Sequence, residues 1–168
     1  DEVVKLLFLR LLFITLLAQL FMPAFVGLIA PGFVGDSEKM EVAIELTRIT
    51  FPFLMFVSLA SFFSAILNSH NKFAVASAAP IILNLILIAV LIFGKILNDK
   101  LIYYLAYGVS LSGILQLFFL YFFVKKYYFV KLSFIFTFNQ KIKIFFKKLL
   151  PSIFSSGVTQ INILVGTI

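Results

Sequence analysis

The chain has 168 residues, 62% of them hydrophobic and only 12% charged, with a formal net charge of +7. A soluble domain carries roughly 45–50% apolar and 25% charged residues, so these values describe an integral membrane protein. The basic residues sit beside apolar runs, where they report membrane orientation and not nucleic-acid binding. No Cys and a single His exclude disulfides, iron–sulfur clusters and Cys/His zinc sites within the chain.

Lipid offers the backbone no hydrogen-bond partners, and long apolar runs without alternation select helices over a barrel. The expected fold is therefore all-α, a polytopic transmembrane helical bundle of about four complete spans plus a truncated fifth, with interfacial amphipathic helices. The first span runs from Leu6 to Ile29, with Lys5 and Arg10 at its start and Gln19 within it, and Pro23 is predicted to kink its last turns. Ala30-Pro31-Gly32-Phe33 breaks the helix. Asp36 and Ser37 then offer capping oxygens, with Glu38 and Glu41 in a first turn where they complement the helix dipole. Met40, Ala43, Ile44 and Thr47 share one face of this short helix, which is expected to lie along the interface and lead into the next span at Pro52.

The second span, Ile49 to Leu67, is free of charge and, at about 19 residues, long enough to cross the hydrocarbon core. A polar tip, Asn68-Ser69-His70-Asn71-Lys72, turns the chain into a third span ending at Phe93, so the two form a membrane hairpin. A polar turn through Asn98-Asp99-Lys100 precedes the fourth span, Leu101 to Val124, which has Tyr103, Tyr104 and Tyr107 at one end and Tyr121, Tyr127 and Tyr128 near the other as interfacial anchors. Residues 125–150 form a basic connector with seven Lys and no acid: a short extended piece over 132–138, then an amphipathic helix capped by Asn139. Pro151 opens the fifth span. Ten basic residues fall on the side of the connector and Lys72, and four on the side of Arg48, which makes the N-terminus, the Lys72 tip and the connector cytoplasmic. The chain starts at Asp1 without Met or a signal-peptide pattern and stops inside an apolar run, which predicts an internal piece of a longer protein.

The polar residues within the spans are the functional candidates. Pro80 frees the carbonyl of Ala76 one turn before Asn84, the combination from which transporters build deformable sites. Asn84 equally suits a plain hydrogen bond to a neighbouring helix. Gln160 and Asn162 follow Pro151 and Ser155-Ser156-Gly157 and either line a cavity or join helices. Arg48 and Lys72 lie at opposite membrane surfaces, within reach of lipid head groups. Serines 58, 61 and 64 with Ala60 and Ala65 on the second span, and Gly108, Ser112 and Gly113 on the fourth, read as small packing residues. With no acid inside any span, neither a proton relay nor a paired-carboxylate active site is present, and no cofactor or metal is expected.

Several strings, in order, carry a resemblance: Ala30-Pro31-Gly32-Phe33; Ile49-Thr50-Phe51-Pro52-Phe53; Ile66-Leu67-Asn68 with Lys72-Phe73 and Ala79-Pro80 to Leu83-Asn84; Gly108 to Gly113 with Leu115-Gln116-Leu117; and Pro151 with Gln160-Ile161-Asn162. Together they resemble the bacterial lipid II flippase family of MurJ or MviN type, within the larger group of multidrug and polysaccharide exporters. The resemblance implies that residues 1–124 correspond to the third through sixth helices of an N-terminal lobe, 125–150 to the linker, and 151–168 to the start of the seventh helix, which opens a C-terminal lobe. It implies an inner-membrane transporter, not an enzyme, that moves lipid-linked peptidoglycan precursor to the outer leaflet by alternating access. Its partners would be membrane lipid, an undecaprenyl-pyrophosphate-linked saccharide and the remainder of the same chain. That family's substrate-gripping arginines lie chiefly in helices this sequence does not contain. Lys72 stands where the family commonly has Arg, and Ala76 where it often has Pro. The competing expectations are a drug/cation antiporter or polysaccharide flippase of the same group, and a non-transporting structural membrane subunit.

Overall fold

The computed structural model describes residues 2–33, 35–94, 100–128, 151, 157 and 158. The described residues are helical, with no strand among them: α1 (Glu2–Leu20), α2 (Met22–Ile29), a 3-10 turn (Pro31–Phe33), α3 (Ser37–Thr50), α4 (Pro52–Ser69), α5 (Phe73–Gly94) and α6 (Leu101–Val124). Four segments are long and apolar enough to cross a membrane, Val3–Leu20, Ser37–Ser69, Phe73–Gly94 and Leu101–Val124. The protein is a multi-pass helical membrane bundle. Its contacts separate into one unit of Val4–Lys131 and another of Asp1–Val3 with Leu132–Ile168. In the second unit the described residues beyond α1 are Pro151, which is exposed, Gly157 and Val158, all helical. The expected extended piece at 132–138, the helix after Asn139, and Gln160 and Asn162 lie outside the described residues.

Within the unit Val4–Lys131 the helix ends are set by local chemistry. Asp36 caps α3, its carboxylate accepting from the Lys39 amide at 3.1 Å and lying 2.8 Å from the Lys39 ammonium. Those bonds, the side-chain one first, hold the Asp36 carboxyl below its ordinary 3.8. Glu38 in the first turn and Arg48 in the last suit the helix dipole. At the far end of α4, Asn71 takes a left-handed φ of 58°, a conformation Asn tolerates better than most side chains. The Lys72 amide then reaches the Leu67 carbonyl at 2.9 Å and the Asn71 amide the Asn68 carbonyl at 3.0 Å. This Schellman closure satisfies the last carbonyls of α4 and turns the chain straight into α5.

Helix α6 is central, packing against α3, α4 and α5. Gly108, Ser112 and Gly113 are all buried on it, and their small size lets the neighbours close in. A methyl on Gly113 would stand 2.8 Å from Phe53 Cδ2 and 3.1 Å from Phe56 Cβ. The main core gathers Val4, Ala60, Phe63, Leu67, Ala76, Ala79, Leu120 and Val124 toward the α4–α5 turn. On α4 the small residues divide by face. Ala60 is buried, whereas Ser61 and Ala65 are exposed, one step and five steps round the helix from it. Ser58 and Ser61 donate to their own helix at Leu54 and Val57, which hides their hydroxyls without a neighbour. Helix α1 is held near its ends, by Val4 in the main core and by Ala18 and Gln19 at the other end, while Phe8, Leu9, Phe13 and Leu16 are exposed.

Candidate functional site

The four prolines singled out by sequence, Pro23, Pro52, Pro80 and Pro151, fall at separate places along the chain. Pro23 is the second residue of α2, and the helix breaks just before it, at Phe21 (φ −100°, ψ 22°). The ring clashes with the preceding turn, so the break precedes the proline. Pro52 is the first residue of α4, but Phe51 keeps helical angles (φ −56°, ψ −38°), so α3 runs on into α4 with a change in bonding and no change of backbone region. The helix expected to lie along the interface is thus joined without a loop to the span that follows.

Pro52 has no N–H to give the carbonyl of Arg48, four residues earlier. The structure supplies a substitute: Gln19 on α1 donates its side-chain amide to that carbonyl at 2.8 Å. Next to it, the Ser110 hydroxyl of α6 donates to the carbonyl of Ile49. The Phe51 ring is buried and meets Phe25 edge-on, with 5.5 Å between centroids. One turn before the bend, the Tyr103 hydroxyl donates to Glu45 at 2.7 Å. Two helices, α1 through Gln19 and α6 through Ser110 and Tyr103, therefore meet the end of α3 with polar groups. Arg48 itself points its side chain outward and is exposed.

The opposite end of α4 is basic and aromatic. His70 donates from Nδ1 to the Ile66 carbonyl at 2.9 Å, which requires the proton on that nitrogen, and its ring lies 4.7 Å from Tyr127. The Lys125 ammonium sits over the Phe122 ring at 4.2 Å. Lys72, Lys125 and Lys126 are exposed. Eighteen residues of α4 separate this end from Pro52, so Arg48 and Lys72 lie at opposite ends of the bundle.

Helix α5 carries Pro80 and Asn84. Its inner face is made of Ala76 and Ala79, whereas Ser77, Pro80, Ile81, Asn84, Leu85 and Ile88 are exposed. Pro80 thus turns its ring away from the neighbours, and Asn84 finds no hydrogen-bond partner among the described residues. A free amide at mid-helix is costly against lipid, so this face calls for water or another polar surface.

A family model described as "Lipid II flippase MurJ" matches residues 1–168. The chain belongs to the lipid II flippase MurJ family. Curated relatives agree along nearly the whole sequence. A probable lipid II flippase MurJ of Rhizobium tropici is 37% identical over 99% of this chain, and one of Rickettsia prowazekii 38% identical over 98%. One of Haemophilus influenzae is 37% identical over 79% of the chain. The chain spans about a third of the length of these first two relatives, 32% of each, and 26% of the third.

Against this MurJ-family background the described structure brings Arg48 and Pro52 together at one bend, sets Pro80 and Asn84 on an open face, and leaves Lys72 at the far turn. Ser110 is not among the sequence candidates, and Gln19 is read from the sequence only as a single mid-span amide without a named partner. Their signal was present, since a proline four residues after Arg48 orphans a carbonyl and a mid-span amide is the kind of group that could meet it. What the sequence lacked was the knowledge that α1 and α6 flank the bend.

Proposed function

We propose that the protein works in flipping a lipid-linked peptidoglycan precursor, lipid II, from the inner to the outer leaflet of the bacterial cytoplasmic membrane. The observation that carries this reading is the family match over residues 1–168. The work is movement of a lipid, with no covalent bond made or broken. Residues 1–124 would be four helices of an N-terminal lobe, 125–150 a basic cytoplasmic connector, and 151–168 the start of the first helix of a C-terminal lobe. The N-terminus and the Lys72 turn would face the cytoplasm, as the excess of basic residues on that side supports.

In this scheme the anionic pyrophosphate-saccharide head enters a cavity between the lobes, the lobes rock about it, and the polyprenyl tail stays in lipid. Asn84 would line that cavity, a role supported by its open, unpartnered position beside Pro80. Gln160 and Asn162 would line the cavity or couple the lobes, and Pro151 would start their helix as a first-turn proline. Arg48 and Lys72 would contact lipid head groups at the two surfaces. The test is complementation: the full gene should restore growth and cell shape to a bacterium depleted of its own lipid II flippase. Failure to do so, with the protein inserted and abundant, would contradict the proposal.

A further inference from the structure

Two interruptions of the helical hydrogen-bond ladder lie side by side at the Arg48 end of the bundle. Pro23 cannot serve the carbonyl of Gln19, and Pro52 cannot serve that of Arg48. The Gln19 side chain links the two breaks through its bond to the Arg48 carbonyl. Between the breaks runs a helical hairpin, α2, the 3-10 turn and α3, whose small core is separate from the main one and includes Ala18 at the end of α1. Met22, Val26 and Phe51 are buried there, covered by Ala18, Met40, Ala43 and Ile44, and none of these residues belongs to the main core around Leu67 and Leu120.

The hairpin is thus a packed piece joined to the rest of the chain at two points where the helical ladder is already interrupted, with α3 resting on α6. At each joint the proline has already removed one backbone hydrogen bond of a continuous helix. Three side-chain bonds then fix its position: Gln19 to the Arg48 carbonyl, Ser110 to the Ile49 carbonyl, and Tyr103 to Glu45. Each runs from α1 or α6 to α3, and none joins α2 to α3.

We propose that the α2–α3 hairpin is a flap at the Arg48 end of the bundle, which swings as one piece about the joints at Phe21 and Phe51 and is latched by Gln19, Ser110 and Tyr103. Tyr103 and Glu45 form the outer latch, which opens without exposing buried apolar surface, since both are polar groups at the helix surface. Gln19 and Ser110 form the inner latch and release their carbonyls together, because Arg48 and Ile49 are consecutive residues of α3. The flap does not depend on which molecule is transported.

The experiment uses the full-length protein in lipid nanodiscs, on a cysteine-free background, with nitroxide pairs read by double electron–electron resonance. One pair, Val42 and Leu115, spans flap and bundle; the other, Leu28 and Val42, lies within the flap. All three positions are exposed. Tyr103→Phe removes a single hydroxyl and leaves the packing intact. It should add a second, displaced Val42–Leu115 distance, with the displaced fraction rising about tenfold or more when Gln19→Leu and Ser110→Ala are combined with it. The Leu28–Val42 distance should remain single in every variant. Restoring a backbone donor with Pro52→Ala should abolish the effect of Gln19→Leu. An unchanged Val42–Leu115 distribution in the combined variant would overturn the latch, and a Leu28–Val42 distance that splits alongside it would overturn the one-piece flap.

Discussion

Gly113 marks a close approach between α4 and α6, and its replacement by Ala gives a worked prediction. The new methyl would lie 2.8 Å from Phe53 Cδ2 and 3.1 Å from Phe56 Cβ, against an optimal carbon–carbon separation of roughly 3.5–4.0 Å. The Phe53 ring can rotate, but Phe56 Cβ is fixed to the α4 backbone, so the helices must part by a few tenths of an ångström. Overpacking of this kind costs about 1–3 kcal/mol. Ala also gains about 0.8–1.0 kcal/mol of helix propensity over Gly, which would blur the result if measured alone. Gly27→Ala on α2 provides the internal reference, because its methyl would meet Met40 Cε at 3.6 Å, an ordinary contact. The propensity gain cancels between the two, and Gly113→Ala should be less stable than Gly27→Ala by about 1–3 kcal/mol. Gly108→Ala, whose nearest neighbour is Val90 Cγ2 at 3.3 Å, should fall between them. Unfolding of the full-length protein in mixed detergent micelles would measure all three. A Gly113→Ala protein as stable as Gly27→Ala would refute the close approach of α4 and α6.

Leu67 and Leu120 are fully buried in the main core. In lipid the transfer part of a Leu→Ala loss is small, because the unfolded reference is also apolar, so each should cost near the cavity-dominated low end of about 2 kcal/mol in the same unfolding assay. Asn84→Leu should leave membrane insertion unchanged and lower complementation at least several-fold; equal complementation would remove Asn84 from the cavity. The Asp36 carboxyl is held below its ordinary 3.8, so the stabilisation it gives α3 is present above that value and lost as pH falls through the lower, folded one. Asp36→Asn should therefore flatten the stability profile in that acid range, the variant being less stable near neutrality and matching the unsubstituted protein once pH falls below the folded value, as a pH series of thermal unfolding would reveal.

The spans were legible because they depend on one-dimensional properties. Leu101 to Val124 reads as a span and is α6, since charge-free length and flanking Lys decide both ends. The cap at Asp36 was equally readable from the oxygen it places before Glu38. The bend at Pro52 was only half legible: proline marks a lost hydrogen bond, yet Phe51 stays helical because a first-turn proline fits helical angles. That the Arg48 carbonyl needs a donor was legible, but not which residues meet this turn, because Gln19 and Ser110 lie 29 and 61 residues away from the carbonyls they reach. The small residues of α4 were read together, yet Ala60 is buried, Ser58 and Ser64 are half-buried, and Ser61, about 100° round the helix from Ala60, is exposed with Ala65. On α5 the sequence marked Pro80 and Asn84 as costly in lipid, and the structure sets both on its open face.

The most direct measurement of the central claim is the amount of lipid II accessible at the outer face of cells that depend on the full-length protein for flipping. Lipid II should become accessible on expression and disappear from the outer face when the protein is depleted. Lipid II that stays confined to the inner leaflet, in cells where the protein is inserted and abundant, would contradict the account.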